Sequence, residues 1–137
     1  MRRDARHEER RVETRPASVA EHAGWRRLVA AAGALCCAAA IGLGAYAAHG
    51  LESVERQRIE PALLYLLVHG LALAVFAPRR REWCADAALL AWTLGMLLFC
   101  GSLIVAVLAG TSTRLAPAGG MLLILGWLLQ TASALRR

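Results

Sequence analysis

An all-α membrane protein, a four-transmembrane-helix bundle with a disordered basic N-terminal tail, is the fold class this sequence predicts. Three observations predict it. Hydrophobic residues make up 58% of the 137 residues, and the mean hydropathy of +0.46 is too high for a soluble domain of this length. Four runs carry no charged residue, 28–48, 61–77, 87–109 and 115–135, each close to the length that crosses a hydrocarbon core. The 16 basic residues are all Arg and gather at the ends of those runs, as topology signals do. The chain is too short for more than one compact unit, so the expected organisation is a cytoplasmic Arg-rich tail, 1–27, and a four-helix domain, 28–135.

The tail holds six Arg before position 16, interleaved with Asp4, Glu8, Glu9 and Glu13, with Glu21 further on, and has almost nothing apolar to bury. Such a segment is expected to be disordered or transiently helical. The net charge of +6 raises the question of nucleic acid, but mixed charge in the tail and Arg at span ends argue against it.

The first span follows Trp25, Arg26 and Arg27, side chains suited to the headgroup layer. Its 21 uncharged residues exceed a secretory signal's apolar stretch of about 7 to 15 residues, and three more spans follow, so it is read as retained. Ala34, Ala38 and Gly42 repeat at four, as do Ala40, Gly44 and Ala48, rows that let helix backbones approach closely in lipid. His49 ends this helix, and Gly50 is placed for a left-handed cap. Leu51 to Glu60 reads as a short interfacial helix, with Pro61 in the first turn of the second span and Glu60 at the positive end of its dipole.

The second span puts His69 inside an otherwise apolar helix, with Tyr65 one turn earlier on the same face. An imidazole at that depth needs a partner, and Tyr65 is the nearest. In the third span Asp86 lies near the helix start, where a carboxylate is favoured, and Gly95, Ser102 and Ala106 form a packing stripe, with Gly101 beside it. The turn at 110–114 leads to the fourth span, with Pro117 in its first turn and Gly119, Gly120, Gly126, Gln130 and Ser133 as small or polar positions. Gln130 is expected to point into the bundle for hydrogen bonds. Counting Arg on alternate sides gives thirteen against three, which predicts both termini in the cytoplasm.

Chemical motifs are thin. Cys36, Cys37, Cys84 and Cys100 show no CxxC or zinc spacing and read as small apolar fillers. There is no phosphate loop, no nucleophile beside a base and no acidic residue in mid-span, so no cofactor and no metal are expected. A bis-histidine haem would need His49 and His69 at one depth, whereas His69 lies about 12 Å further along its helix.

Gly44-Ala45-Tyr46-Ala47-Ala48-His49-Gly50-Leu51 resembles the Gly-Ala-Phe-Gly-Ala-His-x-Leu motif of domain-of-unknown-function family 423 (DUF423), the YgdD-like small inner-membrane proteins. Glu60, Tyr65 and His69 fall at the spacing of that family's second-helix Glu, Tyr and His. Phe99-Cys100-Gly101-Ser102-Leu103 is similar to its Phe-Ser-Gly-Ser-Leu, Ala116-Pro117-Ala118-Gly119-Gly120 to its Thr-Pro-Ile-Gly-Gly, and Gly126-Trp127 to its last-helix Gly-Trp. The resemblance covers roughly Leu28 to Leu135 and implies four transmembrane helices, a plasma-membrane location and no established activity. Leu66 stands where the family often has Gln, Pro61 where Thr is common, and the Arg-rich tail is extra.

The functional expectation is a non-enzymatic accessory or scaffold subunit that packs through small-residue helix faces, with the lipid bilayer and either a second copy or another membrane protein as partners. Its intramembrane polar candidates are His49, Glu60, Tyr65, His69, Ser102 and Gln130, and its packing candidates Gly42, Gly44, Gly95, Gly101, Gly119, Gly120 and Gly126. A small transporter or proton path through Tyr65, His69 and Gln130 is the main alternative and needs them in one cavity. A haem- or quinone-associated subunit is the third, and needs His49 and His69 to converge.

Overall fold

The computed structural model describes residues 17–79, 82–110 and 112–136. Among the described residues there are four helices: α1 (Ala17–Gly50), α2 (Ser53–Phe76), α3 (Trp83–Ala109) and α4 (Ala116–Leu135). All four are long and apolar enough to span a membrane. The protein is an all-α membrane protein, and consecutive helices pack on one another, α1 on α2, α2 on α3 and α3 on α4.

The helix starts differ from the sequence expectation. Helix α1 begins at Ala17, so positions 17–27 of the expected tail continue the first span, while 1–16 lie outside the described residues. At about 1.5 Å per residue its 34 residues reach about 50 Å, well beyond a hydrocarbon core of about 30 Å. Helix α3 likewise starts at Trp83, with Asp86 in its first turn as expected.

The separate interfacial helix is corrected: Ser53–Phe76 is one continuous helix with Pro61 inside it, and Glu60 is exposed on its surface rather than at its start. The true N-cap is Glu52, whose backbone N–H donates to the Glu55 carboxylate at 3.3 Å. Arg56 then ties this turn to the end of α1, donating to the carbonyls of Ala47 at 3.1 Å and Leu51 at 3.3 Å. Ile59 is fully buried beside Ala47 and Leu63, with Ile104 and Val107 packed on them. These anchors keep 53–60 helical although Pro61 removes the donor for the Gln57 carbonyl.

The left-handed cap is also corrected. Among the described residues only Gly110, closing α3 at φ 65°, has a positive φ; Gly50 does not.

Close approach of backbones sets the interior. A Cβ on Gly33 would lie 2.5 Å from the Gly70 carbonyl oxygen, and one on Gly70 would lie 2.8 Å from that of Gly33, so α1 and α2 touch main chain to main chain. Helix α4 meets α3 in the same way, since a Cβ on Gly119 would stand 2.8 Å from Phe99 Cα, one on Gly95 2.6 Å from Leu123 Cδ2 and one on Gly126 2.6 Å from Trp92 Nε1. Gly44 and Gly120 make ordinary contacts, to Leu63 and Phe99. A Cβ on Gly42 or Gly101 would meet nothing within 4 Å among the described residues, so neither makes a close backbone approach within the chain. The buried core runs through Leu73, Leu89, Trp92, Met96 and Leu123.

Candidate functional site

His69 is 3% exposed and uses both ring nitrogens. Its Nδ1 lies 2.9 Å from the Tyr65 carbonyl, and Trp127 Nε1 donates to Nε2 at 3.0 Å. An indole nitrogen only donates and a carbonyl only accepts, so the proton sits on Nδ1, the Nε2 lone pair faces Trp127, and the ring is neutral. The helical turn between 65 and 69 supplies the first bond, and the α2–α4 approach supplies the second.

Around that ring the aromatic side chains form a connected row. Tyr65 stacks on His69 with centroids 5.8 Å apart and planes 8° from parallel, and meets Phe99 at 4.9 Å. Trp127 meets His69 edge-on at 5.9 Å and Trp92 at 4.7 Å, and Trp92 in turn meets Phe76 at 5.8 Å. Trp92 is fully buried, and among the described residues its indole N–H has no acceptor.

Of the six polar candidates the structure brings Tyr65 and His69 together, with Ser102 nearby in sequence to Phe99, whose carbonyl accepts from Ser102 Oγ at 3.0 Å. His49, on the last turn of α1, and Glu60 are exposed and stand apart from the ring. Gln130 is half-buried, and its side chain makes no hydrogen bond among the described residues. Leu66 lines an apolar groove of about 270 Å³ between α1 and α3, with Cys36, Leu73, Met96 and Cys100. Cys37 donates to the Leu67 carbonyl at 3.5 Å.

Two features escaped the sequence reading. Trp127 was legible only as part of a Gly-Trp pair, and the signal for its role was a polar-tipped ring among apolar residues that would need a partner in lipid. Arg26 is 5% exposed, held by protein partners: its Nε donates to Asp86 Oδ1 at 2.9 Å, Nη2 bonds the same oxygen, and Nη1 donates to the Ala77 carbonyl at 3.0 Å. One guanidinium thus joins the N-terminal part of α1, the residue after the end of α2 and the start of α3. At the same end Ser133 donates to Glu82 at 3.1 Å, and the Arg136 guanidinium lies 5.1 Å from the Trp83 ring centre.

A family model described as a protein of unknown function, DUF423, matches residues 43–120, which hold Tyr65, His69, Phe99 and Ser102. The chain belongs to the DUF423 family. It is 34% identical over 114 residues to a UPF0382 membrane protein of Staphylococcus haemolyticus, covering 76% of this chain and 92% of that one. A UPF0382 membrane protein of Haemophilus influenzae is 34% identical over 110 residues, with 74% and 85% covered. One from Staphylococcus saprophyticus is 36% identical over 107 residues, with 71% and 88% covered. No solved structure matches the chain. Trp127 lies beyond the matched segment of this DUF423 protein, so the His69 site draws on residues inside and outside it.

Proposed function

We propose that this DUF423 protein is a non-enzymatic accessory or scaffold subunit of the bacterial inner membrane, docking through helix α1 onto a second copy or another membrane protein. The observation that carries this reading is the outward row of α1. Ala34, Ala38 and Gly42 are exposed, whereas the close-approach glycines of the other interfaces are used inside the bundle. In lipid, association relies on packing, and small residues permit it. The closed His69 site agrees, because a neutral ring with both nitrogens engaged is suited to holding α2 against α4.

The Arg bias supports both termini facing the cytoplasm, with Arg26, Arg79 and Arg136 at one end and Arg56, Arg58 and Arg114 at the other. Reporter fusions after Leu135 should read cytoplasmic and fusions at Ser53 or Ser112 the opposite side; a C-terminus on the far side removes the orientation. The docking reading is tested by a photo-crosslinking side chain at Ala38 or Gly42 in native membranes. Adducts to a second copy or to one membrane protein, lost in Gly42→Leu, are expected. Adducts to lipid alone sink it.

A further inference from the structure

Arg56 and Arg58 leave the same part of α2 in different circumstances. Arg56 is engaged by the carbonyls that end α1. Arg58 lines a cavity of about 590 Å³ between α2, α3 and the turn before α4, and among the described residues it pairs with no carboxylate. A volume of this order is within the range of small-ligand sites, about 300–1,000 Å³.

The lining has a direction. Arg58, Ser112 and Thr113 offer a guanidinium and two hydroxyls, while Pro61, Leu103 and Val107 offer only hydrocarbon. Among the described residues no acidic side chain lines it. Its depth fits this change of polarity, since Arg58 stands three residues before the uncharged run 61–77 and Ser112 three residues after the run 87–109. That is where headgroups give way to acyl chains. Gly110, in the left-handed conformation, turns the chain at the end of α3. The last carbonyls of α3 carry about half a negative charge, less than the full charge of Arg58, so the cavity keeps its preference for an anion.

We propose that this cavity holds the phosphate of a membrane phospholipid, with Arg58 as its cation, Ser112 and Thr113 as hydroxyl donors, and Pro61, Leu103 and Val107 against the glycerol and first acyl carbons. A guanidinium matches phosphate oxygens with paired donors, and it does so best where one side of the site is dry. Inorganic phosphate has the same oxygens but nothing to place on the hydrocarbon wall, so the lipid is the ligand.

The test uses the full chain in detergent, titrated in native mass spectrometry with phosphatidylglycerol, with diacylglycerol of the same acyl chains, and with inorganic phosphate. Phosphatidylglycerol binding is expected, with diacylglycerol at least about tenfold weaker and millimolar inorganic phosphate failing to displace the lipid. Arg58→Gln should weaken phosphatidylglycerol about tenfold and Arg58→Lys less, because charge remains without the fork. Arg114→Gln, at the same end but outside the cavity lining, should bind as wild type. An unchanged Arg58→Gln affinity overturns the site, as does an equal loss in Arg114→Gln, which would mean general attraction. Equal binding of diacylglycerol removes the phosphate contact, and displacement by inorganic phosphate makes the free anion the ligand and overturns the lipid. Arg58 is exposed and holds no other element, so its Gln variant should keep the wild-type melting curve. A collapse of that curve assigns Arg58 to structure and also overturns the proposal.

Discussion

Trp127 on α4 donates its indole hydrogen to Nε2 of His69 on α2 across 3.0 Å, and thereby links two helices that are not consecutive in the chain. The bond fixes the tautomer and completes the imidazole's hydrogen bonding. It also sets the terms on which a substitution at either residue is felt.

His69→Leu leaves the Trp127 N–H without its acceptor and loses the bond to the Tyr65 carbonyl. Polar bonds inside membranes are worth about 0.6 to 2 kcal/mol, so the variant should be destabilised by roughly that amount, read by unfolding in one lipid mixture. His69→Gln keeps a donor and an acceptor and should lose less. If His69→Gln is stable and abolishes a measurable wild-type proton flux in proteoliposomes, the ring titrates in a transport cycle and the scaffold reading is replaced.

The indoles of Trp92 and Trp127 differ in hydrogen bonding, and ultraviolet resonance Raman bands sensitive to indole N–H bonding should separate them. The difference spectrum of Trp127→Phe should remove a strongly bonded component, and that of Trp92→Phe an unbonded one. A bonded signature for Trp92 would mean that a buried water satisfies its N–H, and the interior of α3 and α4 would be wet there.

Glycine substitutions separate internal packing from the outward face. Gly70→Ala places a methyl 2.8 Å from the Gly33 carbonyl oxygen and should cost about 1–3 kcal/mol through overpacking of α1 on α2. Gly42→Ala meets nothing within 4 Å and, by better helix propensity, should be neutral or gain up to about 1 kcal/mol in the isolated protein. Thermal unfolding of the two variants side by side checks this, and equal losses would place Gly42 in a contact that the chain alone does not make.

The spans were legible because bilayer thickness dictates the length of an uncharged run, and 28–48, 61–77, 87–109 and 115–135 lie within four helices apart from one or two end residues. Helix starts were not legible, since α-helix continues into water wherever a turn is anchored, as Arg56 anchors the turn before Pro61. Facing was not legible either. These helices are apolar all round, so periodicity does not say which glycines look inward, and Gly33 and Gly70 went unnoticed. At the candidate site, Tyr65 could be paired with His69 because both lie on one helix, whereas Trp127, 58 residues away, shares no sequence signal with it.

Arg26 and Asp86 show the same limit and give the sharpest stability test. At a span's edge an Arg reads as a headgroup anchor, yet here its side chain is 6% exposed and paired with a carboxylate that is 39% exposed. Asp86→Ala leaves that buried guanidinium, among the described residues, with the Ala77 carbonyl as its one hydrogen-bond acceptor and the Trp25 ring 5.8 Å away. Breaking a buried pair on one side costs about 3–5 kcal/mol, and the wet carboxylate here moves the expectation to the lower end. Arg26→Met instead removes the buried charge and keeps an apolar stem on the same path, so it should cost less. The double variant, Arg26→Met with Asp86→Ala, should then be more stable than Asp86→Ala alone, because the stranded charge has gone. Unfolding of the three variants in one detergent gives the coupling energy. If the double variant loses the sum of the two single losses, Arg26 and Asp86 act independently and the junction of α1, α2 and α3 is held by something else.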